Sequence, residues 1–235
     1  MNALVLVRGL RFTYPDGTAA LRGVDFRLEA GETVALLGAN GSGKTTFALH
    51  LNGLLSGEGE IVVAGLPVRE PHLAAVRRKV GFLFQDPDEQ LFLPTVLEDA
   101  AFGPRQAGLT SDASLAAARS ALTRVGLPEE TWNKPPYHLS AGQKQRAALA
   151  GVLAMNPELL VLDEPTTHLD PPGRRRLAAL LETLPQAKIV VTHDLAFARR
   201  LAQRAVFFEE GAIVADGPLG EVATSREWND PPAGI

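Results

Sequence analysis

"GANGSGKT", Gly38–Thr45, is the stretch on which the reading of this chain turns. It matches G-x-x-x-x-G-K-[ST], the glycine-rich loop that wraps phosphates. The context fits, because the apolar run "TVALL" precedes it and a helical stretch from about Gly43 to Leu54 follows. Glycines let successive backbone N–H groups point inward, and the helix start adds its positive dipole end. The candidate nucleotide loop is therefore Gly38, Ala39, Asn40, Gly41, Ser42, Gly43, Lys44 and Thr45, with Thr46 beside it. In such a loop Lys44 reaches the β- and γ-phosphates and Thr45 holds Mg²⁺. A chance match in a chain this long is on the order of one in a hundred. The Gly41-x-Gly43 pair could also open a dinucleotide site, but Thr46 stands where a third glycine is needed and the lysine has no work there.

A second motif lies far along the chain. "LLVLDEP", 159–165, is an apolar strand that ends in two acids. A strand end beside a phosphate loop is where a further Mg²⁺ contact belongs, which points to Asp163. Glu164 is then the candidate base or polariser for the attacking water. Taken alone, the pair reads equally well as an acidic turn capping the next helix.

Outward from these motifs the chain alternates strand and helix. "LVLVRGLRFTY", the turn "PDG" and "LRGVDFRLEAG" predict an antiparallel sheet at the N-terminus. "GEIVVAG" and "VGFLF" read as further strands, and helical signal dominates between Leu93 and Leu127, clearest in "SLAAARSALTRVG". "KPPYHLS" breaks that run, and a helix from about Ser140 to Met155 follows, with Ser140 as its cap. Strand "AKIVVTH", helices "PPGRRRLAALLETL" and "LAFARRLAQ", and strands "AVFFEE" and "AIVADG" complete the pattern. The succession predicts an α/β fold with a mostly parallel sheet flanked by helices. The polar end "TSREWNDPPAGI" is expected to fray.

The totals narrow the function. A chain of 235 residues with 46% apolar and 21% charged residues has an ordinary globular composition. A net charge of −4 carries no nucleic-acid footprint. With no cysteine, disulfides and thiolate metal sites are excluded. No apolar run approaches the roughly 18 residues of a membrane helix, so any work at a membrane is done through partners.

Five further pieces occur in one order: Tyr14 in "FTYPDG", Gln85 after "VGFLF", "LSAGQ" at 139–143, "HLD" at 168–170 and His193 at the end of "AKIVVTH". With the two motifs above, the chain resembles an ABC-type ATPase over nearly its whole length. The resemblance implies a single ATP-binding domain, 1–235, with a helical subdomain inserted at about 93–156. It implies ATP and Mg²⁺ as cofactors. Tyr14 would stack on adenine, its plainer alternative being a strand aromatic in the core. Gln85 would meet Mg²⁺ and the water, and His193 the γ-phosphate. Ser140, Gly142 and Gln143 would reach the γ-phosphate held by a second subunit, and Asp170 would couple the two sites. The working unit would be a homodimer or a heterodimer with a paralogue. Two residues depart from the family pattern: Ala141 replaces the first glycine of "LSGGQ", and His168 stands where a small residue is commoner. His50, His72 and His138 have no such context and no assigned role.

"FQDPDEQLF", 84–92, sets acids beside large apolar residues at the end of a strand. With "EDAAFGP" and "YHLSAGQKQRAALAGVLAMNPELLVLDEPT", it is similar to the ATPases of energy-coupling factor (ECF) importers, most of all their cobalt and nickel members. That resemblance implies a groove for a helix of an integral membrane partner. Leu91 and Phe92 would pack the helix beside Gln90, while Asp88 and Glu89 would meet its basic residues. The protein would sit peripherally on the cytoplasmic side of the cell membrane and power import of cobalt or nickel ion, or of a vitamin. A solvated acidic turn is the plainer alternative for this segment. Other function classes are an ATPase of another ABC transporter type and a soluble ABC protein of DNA repair or translation. A P-loop GTPase is disfavoured, because Asn133-Lys134 runs into Pro135-Pro136 rather than a guanine motif.

Overall fold

The computed structural model describes residues 3–228. β1 (Val5–Thr13) and β2 (Ala19–Leu28) pair antiparallel. The turn between them is closed by Gly17 N–H to Tyr14 O and by Thr18 N–H to Asp16 Oδ1. β3 (Thr33–Leu37) is buried from Val34 onward, as a continuous apolar strand should be. After the loop comes α1 (Lys44–His50), which stops short of the expected Leu54. Gly53 there takes a left-handed conformation, and the Asn52 side chain accepts Leu54 N–H, so the chain turns instead of continuing.

β4 (Glu58–Val63) pairs with β1, and the two-residue β5 (Leu66–Pro67) pairs with β4, completing a four-stranded antiparallel sheet in the order β2-β1-β4-β5. α2 (Leu73–Lys79) then leads into β6 (Val80–Leu83). Sequence reading missed α2, which is short, has no side-chain cap and buries only Val76. Between β6 and the next strand of its sheet stand α3 (Val96–Gln106), α4 (Ser111–Arg124) and α5 (Ala141–Ala154). Thr95, Thr110 and Ser140 cap the three helices, each accepting a backbone N–H three residues on.

The chain continues with β7 (Leu159–Asp163), α6 (Pro171–Glu182), β8 (Ala187–Val191), α7 (Leu195–Leu201), β9 (Arg204–Glu209), β10 (Ala212–Pro218) and α8 (Leu219–Ser225). These form a second sheet in the order β10-β9-β3-β8-β7-β6, parallel except for the β9–β10 hairpin. One apolar core lies between this sheet and the antiparallel one, where Phe47 packs against Phe26 and Phe208. A second fills the space between the three inserted helices and α6.

The end of the chain corrects an expectation. The described part of the supposed frayed end is ordered: α8 runs through Ser225, and the Trp228 ring packs edge-on against Phe207 at 5.4 Å. The remainder of that stretch lies outside the described residues.

This topology has a consequence for the site. β3, β8, β7 and β6 are adjacent and parallel, so their C-terminal ends share one edge of the sheet. The phosphate loop, His193, Asp163-Glu164 and Gln85 follow those four strands, within about 15 Å of one another at the usual strand spacing.

Candidate active site

The loop between β3 and α1 needs glycine at two positions in particular. Gly38 has φ 136°, and a Cβ there would lie 2.2 Å from the Phe208 carbonyl oxygen. Gly43 has φ 105°, and its Cβ would lie 2.7 Å from the Ala20 carbonyl oxygen. A side chain at either point would push the loop off its neighbours.

Lys44 is buried and turned back along the loop. Its Nζ donates to the carbonyls of Gly38 (2.7 Å) and Ala39 (2.8 Å) and lies 3.4 Å from Ser42 Oγ. Burial pushes its pKa down, and the nearby Glu164 and Asp163 charges pull it back up. Thr45 Oγ1 donates to Asp163 Oδ1 at 3.2 Å. Burial pushes the Asp163 carboxyl up to about 6, against the lowering pull of the Thr45 hydrogen bond. A buried carboxylate beside a hydroxyl is a pair of hard oxygen donors whose charge a divalent cation would neutralise. Together with the amide of Gln85, which lines the same cleft, they fit Mg²⁺.

Glu164 is buried with φ 43°, and its backbone N–H is held by Val191 O at 2.9 Å. His193 Nδ1 lies 2.9 Å from Glu164 Oε2, and the His193 backbone N–H approaches the same oxygen at 3.4 Å. With Nδ1 donating to the carboxylate, Nε2 is left for the cleft. Tyr14 hydroxyl meets Thr46 Oγ1 at 2.9 Å, and Phe12 braces the ring edge-on at 4.9 Å. Phe12 in turn packs on His50, whose Nδ1 is 2.7 Å from Thr46 O, so His50 is a buried structural residue.

Tyr14, Lys44, Thr45, Gln85, Glu164 and His193 line a cleft of about 480 Å³, which they enter from five different segments; Asp163 stands behind Thr45 rather than in its wall, and Gly38, Ala39 and Ser42 of the loop are not among its walls. Ser140, Gly142, Gln143 and Asp170 are not among its walls. Ser140 and Gln143 form a reciprocal capping box at the start of α5, with Ser140 Oγ accepting and its hydroxyl proton unused. Asp170 caps α6 through Gly173 N–H at 2.7 Å. Ala141 is the first helical residue of α5, where a methyl causes no strain. His168 is exposed and takes φ 66°, the backbone geometry that explains the usual preference for a small residue there.

The segment after Gln85 differs in detail from expectation. Asp88 is not free for a partner, because Lys144 Nζ donates to both of its carboxylate oxygens at 2.6 and 2.8 Å. Leu91 is only 8% exposed and belongs to the helical core. Gln90 bonds the backbone of Phe82 and Phe84. Phe92 is the exposed one, at 62%, with Phe102 edge-on at 5.2 Å. Both rings border a groove of about 200 Å³ between β6, α3 and α5, which Gln90 and Leu91 line as well. Asp99, within "EDAAFGP", is a site residue that the sequence pattern alone does not single out. Its Oδ1 accepts the Phe92 and Leu93 N–H groups at 3.1 and 3.0 Å, while the buried Oδ2 has no partner among the described residues.

A phosphate loop at the C-terminal edge of a parallel sheet, with a buried acid and a histidine-held glutamate facing it, defines a P-loop nucleoside triphosphatase. Comparison with known proteins carries this further. The ABC transporter family model matches residues 21–167, and the chain belongs to that family as an ATP-binding, ATP-hydrolysing member. A putative ABC transporter ATP-binding protein of Streptomyces avermitilis is 57% identical, over 92% of this chain and 82% of its own length. The energy-coupling factor transporter ATP-binding protein EcfA of Methanocaldococcus jannaschii is 44% identical, over 95% of this chain and 82% of its own. Among solved structures, cbiO1 of Clostridium perfringens, described as part of the ABC transporter complex cbiONQ, superposes with a TM-score of 0.84 at 36% identity, over 97% of this chain and 93% of that one.

Proposed function

We propose that this chain is the ATPase subunit of an ECF-type importer, bound to integral membrane partners on the cytoplasmic side of the cell membrane, with cobalt or nickel ion as the favoured cargo and a vitamin as the alternative. The observation that carries the reading is the continuity of residues 85–92: Gln85 lines the nucleotide cleft, and seven residues on Phe92 borders an aromatic groove. The named ECF relative and the cbiONQ subunit among the structural neighbours support it. The choice of cargo rests on the sequence resemblance alone. None of the helices among the described residues is long and apolar enough to cross a membrane, which is consistent with a peripheral subunit.

In the cleft, the loop N–H groups from Gly38 to Thr46 wrap the phosphates and the Tyr14 ring stacks on adenine. Lys44 exchanges its hydrogen bonds to the Gly38 and Ala39 carbonyls for the β- and γ-phosphates. Thr45, Asp163 and Gln85 would hold Mg²⁺, which when bound neutralises charge on the phosphate oxygens. Glu164, fixed by His193 Nδ1–H, accepts a proton from the attacking water, and His193 Nε2 faces the γ-phosphate. Ser140, Gly142, Gln143 and Asp170 lie outside this cleft, as residues serving the nucleotide of a second chain should. Both halves of such a composite site are present here, so a homodimer suffices, and a paralogue with the same halves would substitute.

The groove receives a helix of the membrane partner, with Phe92 and Phe102 as its apolar walls. With Asp88 committed to Lys144, Glu89 and the unpartnered Asp99 Oδ2 are the acidic contacts left for a basic residue of that helix. The test is a pull-down of the membrane partner beside an ATPase assay. Phe92→Ala, costing about 2 kcal/mol as a lost anchor, and Glu89→Lys should weaken assembly and leave basal hydrolysis unchanged. Gln85→Ala should lower hydrolysis and leave assembly intact. Normal assembly by Phe92→Ala and Glu89→Lys together would remove the groove from the account.

A further inference from the structure

The loop from Glu164 to Asp170 is strained and held at both ends. Two of its non-glycine residues take left-handed backbone, Glu164 at φ 43° and His168 at φ 66°. Such geometry persists only where the surroundings over-determine it. At the start of the loop, Glu164 is fixed to the end of β8 by Val191 O and to His193 Nδ1. At its end stands Arg174, near the start of α6. Arg174 Nε donates to Leu169 O at 3.1 Å, and Nη1 donates to Asp194 Oδ2 at 3.1 Å. Asp194 directly follows His193 and caps α7, its Oδ1 accepting the Phe197 N–H at 2.9 Å.

One guanidinium therefore closes a ring that runs from Glu164 through the loop to Leu169, then to Arg174, Asp194, His193 and back to Glu164. Arg174 does not line the nucleotide cleft, so whatever it does there runs through these partners. The helix does not explain its place. A cation near a helix start is disfavoured by the dipole. Asp170, the acid four residues back that could offset this, accepts the Gly173 N–H as a cap instead. Nor does the packing of α7 on α6 depend on Arg174 alone. Arg200 of α7 also holds α6, donating from Nη2 to Glu182 Oε2 at 3.0 Å and from Nη1 to Arg175 O at 3.4 Å. What remains particular to Arg174 is that its rigid fork meets a carbonyl of one loop and a carboxylate of another at once.

We propose that Arg174 is a positioning residue for hydrolysis. By joining Leu169 to Asp194, it locks the face that Asp170 offers a second chain to the turn that carries His193. Docking of the second chain and the setting of Glu164 by His193 then become one event. The inference rests on the composite site proposed above and adds the side chain that links its two halves within one chain.

The experiment measures phosphate release, KM for ATP and melting temperature of the full chain in Mg²⁺. Arg174→Ala should lower kcat about tenfold, the effect of losing one charge-assisted hydrogen bond in a closed site, and leave KM within about twofold. The Arg174 side chain is 48% exposed, so solvent screens its ion pair in the single chain and melting should fall by only a few degrees. Asp194→Asn keeps an oxygen to cap α7 and should lose turnover to the same extent. The double variant should lose no more than either single one, because the same link is cut once. An arginine that served folding alone would lower melting and leave kcat of the folded chain unchanged. Wild-type kcat in folded Arg174→Ala would overturn the proposal, and so would additive losses in the double variant. Glu164→Gln separates the two ways of failing. If it forms no dimer in ATP, the composite site falls and takes this link with it. If the dimer forms and Arg174→Ala turns over like wild type, only the link is lost.

Discussion

Removing the imidazole of His193 is the perturbation that most sharply separates chemistry from folding in this site. His193→Ala deletes the 2.9 Å hydrogen bond to Glu164 Oε2 and leaves the backbone N–H contact at 3.4 Å. A hydrogen bond to a charged group is worth about 1.5–3 kcal/mol when water is excluded. The His193 side chain is 64% exposed in the open cleft, so solvent screens the bond there and its share of folding stability falls below about 1 kcal/mol. In the proposed composite site, where a second chain would cover the cleft and expel water, the full value would apply. At 1.4 kcal/mol per tenfold, turnover should fall about 10- to 150-fold. The assay is steady-state phosphate release beside thermal unfolding and equilibrium ATP binding. The expected result is a large loss in kcat, near-wild-type melting and ATP affinity within a few-fold of wild type. Turnover within twofold of wild type would refute the argument that this bond sets the glutamate. So would an unfolding loss large enough to account for the whole effect.

Two other substitutions test neighbouring parts. Lys44→Ala should weaken ATP binding by about 2–3 kcal/mol, because the lost contact is charge-assisted and buried, and a filter-binding measurement with wild-type affinity would exclude the assigned phosphate contact. Ser140→Arg should leave ATP bound to each monomer while preventing ATP-driven dimerisation in size-exclusion chromatography, because a bulky cation would occupy the face meant for a partner's γ-phosphate; persistence of the dimer would remove Ser140 from that face.

How far the sequence could be read depended on the range of the forces involved. The phosphate loop and β3 were legible because both signals are local: a strand buried on two faces must be apolar throughout, and the loop geometry tolerates no side chain at Gly38 or Gly43. The Ser140 cap was legible for the same reason, since a capping box spans four residues. What escaped was long-range or weakly marked. Asp88 is paired with Lys144, 56 residues away, and nothing near either residue announces the pair. Leu91 reads as a docking residue, and it does line the groove, but the inserted helices bury most of it. Asp99 looks like any acid in the first turn of a helix until the folded chain leaves one of its oxygens without a donor. α2 and α8 have seven residues each and lack side-chain caps, so packing rather than propensity holds them.

The claim beneath all of these is that Glu164 drives hydrolysis in a site that a second chain completes. Glu164→Gln tests it most directly, because the amide keeps the shape and the contact with His193 but cannot accept the water's proton. Phosphate release and size-exclusion chromatography with light scattering, both in ATP and Mg²⁺, read the two halves of the claim together. The account predicts that turnover falls to near background while ATP accumulates in a stable dimer. Wild-type turnover, or an ATP-bound variant that remains monomeric, would contradict it.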